Sequence, residues 1–306
     1  MFKNTEKKFI WKNGEFENWD DSNVHILSHT LHYGTGVFEG VRAYKTENGP
    51  AIFRLSEHTS RLFEAAAKIN IKIPFSKDEL NNIQCNILNQ NNLNEGYIRP
   101  IVYLGNEGLG LRAKDLSVNV AVAAWEWPSY MDPIAKEEGI SVIKSSYKQY
   151  ENPLHSGNKI IGTYFSNTMA LHEALDKGAD EAIMMDMNGF LSEGSGENVF
   201  IVKDEVVLTP TIDHCLNGIT RQSVIQMAKD LSIEVHEKDL RYEDLKNADE
   251  AFFTGTAVEI TPITKLDQSS INEGKRGPIT KILQDSFMSI VSGQNPKYSN
   301  WLTFTR

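Results

Sequence analysis

Apolar residues recur along this chain at two periods, two and three-to-four, and the alternation between them predicts its elements. FIWKNGEF reads as a hairpin turning at Asn13-Gly14, and HILSHTLHY, VFEGVRAY and AIFRL read as strands. From Ser56 to Asn70 the apolar positions Leu62, Phe63, Ala66, Ala67 and Ile69 take helical spacing. Ser76 with Glu79 forms a capping box that opens a second helix through about Leu88, before the strands YIRPIVYLG and SVNVAVAAWEW.

The segment PSYMDPIAKEEG, punctuated by Pro128, Pro133 and Gly139, is the natural domain connection. Beyond it come a strand at ISVIKSSY, a helix around Tyr164 to Lys177, and the strands EAIMMD, FLSEGSGENVFIV and VVLTP. A helix from about Ile219 to Leu231 follows Gly218, EAFFTGTAVEITPI reads as strand, turn, strand, and GPITKILQDSFMSIVSG closes the chain as a helix. Strands and helices interleave without strict alternation, so the expected class is α+β. Two domains are expected, 1–127 and 139–306, joined by a loop at 128–138.

Length and composition agree, since 306 residues with 40% hydrophobic content exceed one typical domain. The net charge of −10, without a basic run, argues against nucleic acid or an anionic membrane as partner. No stretch approaches 18 uninterrupted apolar residues, and the N-terminus carries no signal-like apolar region. Cys85 and Cys215 lie far apart without ligand spacing, which suits a reducing cytoplasm. His25, His29 and His32 invite a metal, but as strand residues they divide between two faces and no acid or cysteine completes a ligand set, so no metal is expected. GSG at 194–196 lacks the spacing of a dinucleotide fingerprint.

One lysine stands apart. Lys159 is the only formally charged side chain between Glu151 and Glu173, bracketed by Gly157 and Gly162 and flanked by Ile160 and Ile161. Desolvation favours the neutral amine, a nucleophile suited to Schiff-base formation with a carbonyl. By itself it reads first as a surface lysine in a polar loop, and its company changes that weighing. GITRQS places the amides of Ile219 and Thr220 at a helix N-terminus, where an anion is favoured, and TGTA offers a hydroxyl and amides in a small-residue turn. Each alone is also a common cap or turn. Glu193, in the glycine-rich LSEGSGENVF, would need a cationic partner if buried.

The ordered set K-x-x-G-x-Y (Lys159, Gly162, Tyr164), D-x-x-G-x-x-x-E-G-x-x-x-N (Asp186 to Asn198), GITR at 218–221 and GTA at 255–257 resembles the fold-type IV pyridoxal-phosphate enzymes, and among them the branched-chain amino acid aminotransferases. The likeness runs from HYGTGVFEG to WLT at 301–303. It implies two α/β domains with pyridoxal 5′-phosphate between them. Lys159 would hold the cofactor and shuttle the substrate proton. Glu193 would pair with the pyridine nitrogen, Tyr164 with the ring oxygen, and Asn198 would support the ring side. Arg61, which by itself reads equally as an exposed helix residue, would clamp the phosphate with Ile219, Thr220 and Thr256.

For the substrate, Tyr97 and Arg99 share one strand face in YIRP. The resemblance gives the α-carboxylate to Tyr97 with the Thr256 and Ala257 amides. It gives glutamate's distal carboxylate to Arg99, helped by Tyr33 and Tyr130. Phe38, Tyr33, Tyr164 and Trp127 would form the apolar pocket, with Leu109 and Leu111 joining it, and Tyr33, Leu109 and Leu111 would reach it from a partner subunit. A homodimer or higher homo-oligomer follows from that. The implied reaction moves an amino group between Leu, Ile or Val and 2-oxoglutarate, in two half-reactions. Rivals on the same fold are a D-amino-acid aminotransferase, an (R)-amine transaminase and an aminodeoxychorismate lyase. A phosphate-ligand binding protein is the non-enzymatic alternative, disfavoured by the joint presence of Lys159 and Glu193. Asn158 and Gly36 depart modestly from the family pattern, Gly36 suggesting a looser strand edge.

Overall fold

A computed structural model describes residues 8–127, 134–149 and 158–305. The chain divides into two compact units, neither continuous in sequence. The first gathers residues 1–128, 158–163 and 289–306, and the second gathers 129–157 and 164–288. Residues 158–163 join the first unit through backbone pairing that no local pattern announces. Of the expected connection, 128–133 lie outside the described residues, and Ala135–Glu138 form a short helix.

In the first unit, β1 (Phe9–Lys12) and β2 (Glu15–Asn18) form the expected hairpin, turning through Asn13 and Gly14 at positive φ. With β3 (Gly36–Phe38), β4 (Val41–Thr46), β5 (Gly49–Phe53), β6 (Gly96–Leu104), β7 (Val118–Trp125) and the late β17 (Leu302–Phe304) they make an eight-stranded sheet. Its order is β17-β5-β4-β6-β7-β1-β2, every pairing is antiparallel, and β3 pairs with β6. Alternation decides the faces. Val37, Ile98, Val102, Val120, Val122 and Ala124 go into a core that includes Leu62, Ala65 and Ala66 from the helix Leu55–Lys68 and Leu80, Ile87 and Leu88 from the helix Lys77–Gln90. The second helix opens with the Ser76–Glu79 capping box. The in-between residues Phe38, Tyr97, Arg99, Ile101 and Tyr103 take the opposite face.

The expected strand VFEGVRAY is broken in two. β3 pairs with the second half of β6 and β4 with the first, and the Glu39-Gly40 step joins them. Gly40 is required there, because a Cβ would lie 1.8 Å from the Tyr97 hydroxyl oxygen. The expected strand HILSHTLHY is a correction: His29–Tyr33 is a short helix closed by Gly34 at φ 66°. Its histidines serve local hydrogen bonds, His29 to Thr35 and Gly110 and His32 to the Ile26 carbonyl. Gly36 is also corrected, since a Cβ there would meet Ile161 Cδ1 and the Val102 carbonyl at 2.7 Å, a tight fit and not a loose edge.

The second unit holds β8 (Ile140–Lys148), β9 (Glu181–Met185), β10 (Leu191–Gly194), β11 (Asn198–Lys203), β12 (Val206–Thr209), β13 (Val235–Glu237), β14 (Glu250–Gly255), β15 (Glu259–Leu266) and β16 (Ser269–Ser270) in a nine-stranded mixed sheet. β8 and β9 pair in parallel, as do β12 and β13. These two pairs are each connected by a helix, Tyr164–Asp176 for the first and Ile219–Asp230 for the second, and β8 also pairs in parallel with the distant β15. FLSEGSGENVFIV is again two strands, separated by Ser195–Glu197. The helix Pro278–Val291 follows, and β17 then returns the chain to pair with β5. The class is α+β.

Candidate functional site

Lys159 is fixed by its backbone to β3. Val37 and Ile160 form an antiparallel bridge, and Phe38 N–H donates to the Lys159 carbonyl at 3.1 Å. Behind this strap Gly162 N–H donates to the Gly34 carbonyl at 3.0 Å, and a Cβ on Gly34 would lie 2.5 Å from Gly162 Cα. Two glycines far apart in sequence thus let two backbones touch. Lys159 Nζ sits 5.4 Å from the centre of the Phe38 ring.

The same ring carries a second cation, with Arg99 Cζ 4.9 Å from its centre. Arg99 Nη2 donates to the Tyr97 hydroxyl at 3.1 Å, as expected for neighbours on one strand face. Its Nε is buried with no hydrogen-bond partner among the described residues. Tyr97 packs on Trp125 and Trp127 at centroid distances of 5.2 and 4.7 Å. Arg99, Ile101, Tyr103, Ala121, Ala123 and Leu31 line a groove of about 510 Å³ in this unit. Tyr33, Leu109 and Leu111 stand exposed, Leu111 at 86%. Tyr130 lies outside the described residues.

Arg61 is buried rather than an exposed helix residue, which corrects its plain sequence reading. Its guanidinium donates through Nε to Glu39 Oε1 at 2.6 Å and through Nη2 to Oε2 at 2.9 Å. His58 Nδ1 completes the group, 2.9 Å from Oε2. Burial raises the Glu39 pKa, but the Arg61 charge and then His58 outweigh that and hold it well below the usual carboxylate range. Burial also pushes His58 below its ordinary value.

In the second unit, Glu193 is buried on β10 and receives three N–H groups. They come from Gln149 Nε2 at 3.3 Å, Asn198 Nδ2 at 3.2 Å and the Leu216 amide at 3.1 Å. Asn198 also donates to the Leu216 carbonyl at 2.7 Å, tying β11 to the loop before Gly218. A Cβ on Gly218 would lie 1.9 Å from Asn198 Oδ1, so only glycine fits. The turn after Glu193 is pinned by Asn167 Nδ2, which donates to the Ser195 carbonyl at 2.8 Å. The Ser195 amide donates to Glu181, a carboxyl whose burial raises its pKa.

Gly218 starts the helix Ile219–Asp230 with extended backbone and no side-chain cap, and no acid stands in the first turn. Ile219 and Thr220 are both buried. Thr256 and Ala257 are half-buried in the turn from β14 to β15. The neighbouring Thr254 Oγ1 is buried with no partner among the described residues. Tyr164 opens the helix Tyr164–Asp176. Cys215 is a free buried thiol, pushed up to about 12 chiefly by burial. No group of three His, Cys, Asp or Glu among the described residues is arranged to hold a metal.

Sequence reasoning missed Glu39, His58, Gln149 and the Leu216 amide. Two of these left a signal: Glu39 is an acid inside an apolar strand pattern, and His58 stands three residues before Arg61, on one helix face. Gln149 and Leu216 left none, because their parts are set by tertiary approach.

Residues 36–266 match the family described as Amino-transferase class IV. The chain is 47% identical over 298 residues to a branched-chain-amino-acid aminotransferase of Pseudomonas aeruginosa, covering 97% of each. It superposes on a crystal structure of the Escherichia coli branched-chain amino acid aminotransferase with a TM-score of 0.96 at 40% identity, over 98% of this chain and 100% of that one. The T.th. branched-chain amino acid aminotransferase complexed with N-(5′-phosphopyridoxyl)-L-glutamate gives 0.93 at 39% identity, over 98% and 99%. The protein belongs to the class IV aminotransferase family.

Proposed function

We propose that this protein is a pyridoxal-phosphate-dependent aminotransferase that exchanges an amino group between the branched-chain L-amino acids and 2-oxoglutarate. The observation that carries it is the Phe38 ring, which holds the Lys159 amine at 5.4 Å and the Arg99 guanidinium at 4.9 Å. A proton-carrying amine and a carboxylate-binding fork flank one apolar surface. That suits a substrate with a reacting Cα–N centre and either an aliphatic or a carboxylate side chain.

The residues present fit the cofactor. Three N–H donors converge on Glu193, the arrangement of a carboxylate used as an acceptor, which suits a protonated pyridine nitrogen. An uncapped helix start without an acid suits a phosphate. Thr254 Oγ1 and Arg99 Nε, buried without partners among the described residues, are polar atoms of the kind a ligand satisfies. Bound, pyridoxal phosphate supplies an aldehyde for the substrate amine and a ring that takes up the electrons released at Cα.

The chain's own residues do the rest. Lys159 would hold the cofactor and, once freed by the substrate amine, its Nζ would move the proton from the substrate Cα to the cofactor carbon that keeps the amino group, and in the opposite direction in the second half-reaction. Glu193 would accept from the pyridine N–H, Asn198 holds Glu193 in place, and Tyr164 would donate to the ring oxygen. Arg61, the Ile219 and Thr220 amides and Thr256 would hold the phosphate. Tyr97 with the Thr256 and Ala257 amides receives the α-carboxylate. Phe38 and Trp127 contact the aliphatic chain, joined by Tyr33, Leu109 and Leu111 of a second copy. Tyr130, named by the resemblance alone, assists Arg99.

The reading carries with it a homodimer at least and a cytoplasmic enzyme; among the described residues no helix is long and apolar enough to cross a membrane. Sedimentation equilibrium reads the assembly directly, and a monomer with full activity would remove the role of Leu109 and Leu111. The test of the reaction is an assay with L-leucine and 2-oxoglutarate, in which glutamate and the 2-oxo acid of leucine form in equal amounts. Activity on D-alanine with none on L-leucine would overturn the substrate assignment.

A further inference from the structure

Glu39 has no exposed surface, yet it is the centre of a charged group in the first unit. Its carboxylate takes two bonds from Arg61, one from His58 Nδ1 and one from the Gly40 amide at 3.2 Å. His58 and Arg61 reach it together because they stand three apart on the helix Leu55–Lys68. A carboxylate with these partners can only accept, so His58 presents Nδ1–H to it.

Fold stability does not explain this group. A buried ionic cluster is commonly no more stable than an apolar packing of the same volume. Its location supplies a reason. Glu39 directly follows Phe38, whose amide holds the Lys159 carbonyl, and the Lys159 charge is close enough to depress His58. The bidentate contact uses Nε and Nη2 of Arg61, so the plane of the guanidinium and the position of Nη1 are fixed by Glu39. Lys cannot substitute for such a fork.

Resting on the assignment of Arg61 to the cofactor phosphate, we propose that Glu39 and His58 are positioning residues for that phosphate, acting through Arg61 by fixing the plane of its guanidinium. Neither residue touches the cofactor. Glu39 orients Arg61 from one side, and His58 holds Glu39 from the other.

The test compares two ligands on the cofactor-free protein, pyridoxal phosphate and pyridoxal, which differ only in the phosphate. Glu39→Gln is expected to weaken pyridoxal phosphate by about tenfold or more while pyridoxal changes by less than about twofold, the order seen when the outer partners of a ligating group are removed. A purely structural role would weaken both ligands alike, and equal losses or no loss overturn the inference. His58→Asn, which keeps an N–H near the Nδ1 position, is expected to bind like wild type, whereas His58→Leu shows the selective loss; identical behaviour of the two removes His58 from the account. If Glu39→Gln does not fold, the His58 pair carries the same two-ligand comparison, and a loss in His58→Leu shared by both ligands overturns the inference. Arg61→Lys separates the inference from its premise. Wild-type affinity for pyridoxal phosphate in Arg61→Lys overturns the assignment of Arg61, while a loss there with none in Glu39→Gln overturns only the positioning role.

Discussion

At the scale of single residues, function divides between groups that bear charge on an aromatic surface and groups that hold them there. Arg99 touches both Phe38 and Tyr97, and its Nε is buried without a partner among the described residues. If its task is the distal carboxylate of glutamate, Arg99→Ala should slow the half-reaction with glutamate by about a hundredfold or more, since losing one member of a buried charged pair is that costly. The half-reaction with leucine should survive within about threefold, because an aliphatic side chain makes no demand on the guanidinium. Single-turnover absorbance changes with each amino acid check this, and equal losses would refute the dual use of the pocket. In the sequence Lys159 stood out as a lone charge among apolar residues and Glu193 as an acid in a glycine-rich strand, whereas the roles given to Tyr97 and Arg99 came from the resemblance alone. Gln149 and the Leu216 amide did not stand out, since an ordinary glutamine and an ordinary backbone group become ligands of Glu193 only when the fold brings them there.

At the scale of elements, the Lys159 segment depends on backbone contact that side chains would prevent. Gly34 has φ 66° and no room for a Cβ beside Gly162, whereas a Cβ on Gly162 would stand 3.3 Å from Gly34. Gly34→Ala should therefore cost about 2–5 kcal/mol, combining left-handed strain with overpacking, and Gly162→Ala only about 1 kcal/mol. Urea unfolding monitored by circular dichroism measures both, and the reverse order would contradict this packing. The helix Tyr164–Asp176 offers a pH test. Lys177, then Ser145 and the Ser146 amide, lower Glu173 from 4.5 to about 2. A depressed carboxylate stabilises the fold fully above its unfolded pKa and loses that contribution as pH falls toward its folded one. Glu173→Gln should therefore be less stable than wild type at pH 6, with the difference shrinking below about pH 4.5 and gone near pH 2; a constant difference across that range would exclude the linkage. The long helices and most strands followed from periodicity, whereas the short helices His29–Tyr33, Ala135–Glu138 and Tyr242–Lys246 did not. Two exceptions have physical causes: Gly40 makes room for Tyr97 and divides β3 from β4, and HILSHTLHY, strand-like in pattern, coils into a helix capped by Gly34.

At the scale of the whole molecule, each compact unit is assembled from segments distant in sequence. Residues 158–163 belong with β3, and β17 belongs with β5 although most of the chain lies between them, with Arg54 N–H donating to the Trp301 carbonyl at 2.7 Å. Strand pairing over such separations leaves no local signature, and a three-residue strand such as β17 is too short to show a period. The motifs stayed readable because each is local to a turn or strap, while the grouping of the chain around them is not. The central claim is that Lys159 carries the cofactor of an aminotransferase, and borohydride reduction of the purified yellow protein followed by peptide mass mapping tests it most directly. The account predicts a phosphopyridoxyl mass on the peptide containing Lys159, loss of activity on reduction, and no label in Lys159→Ala. A label on another lysine, or a colourless protein that takes up no pyridoxal phosphate, would contradict it.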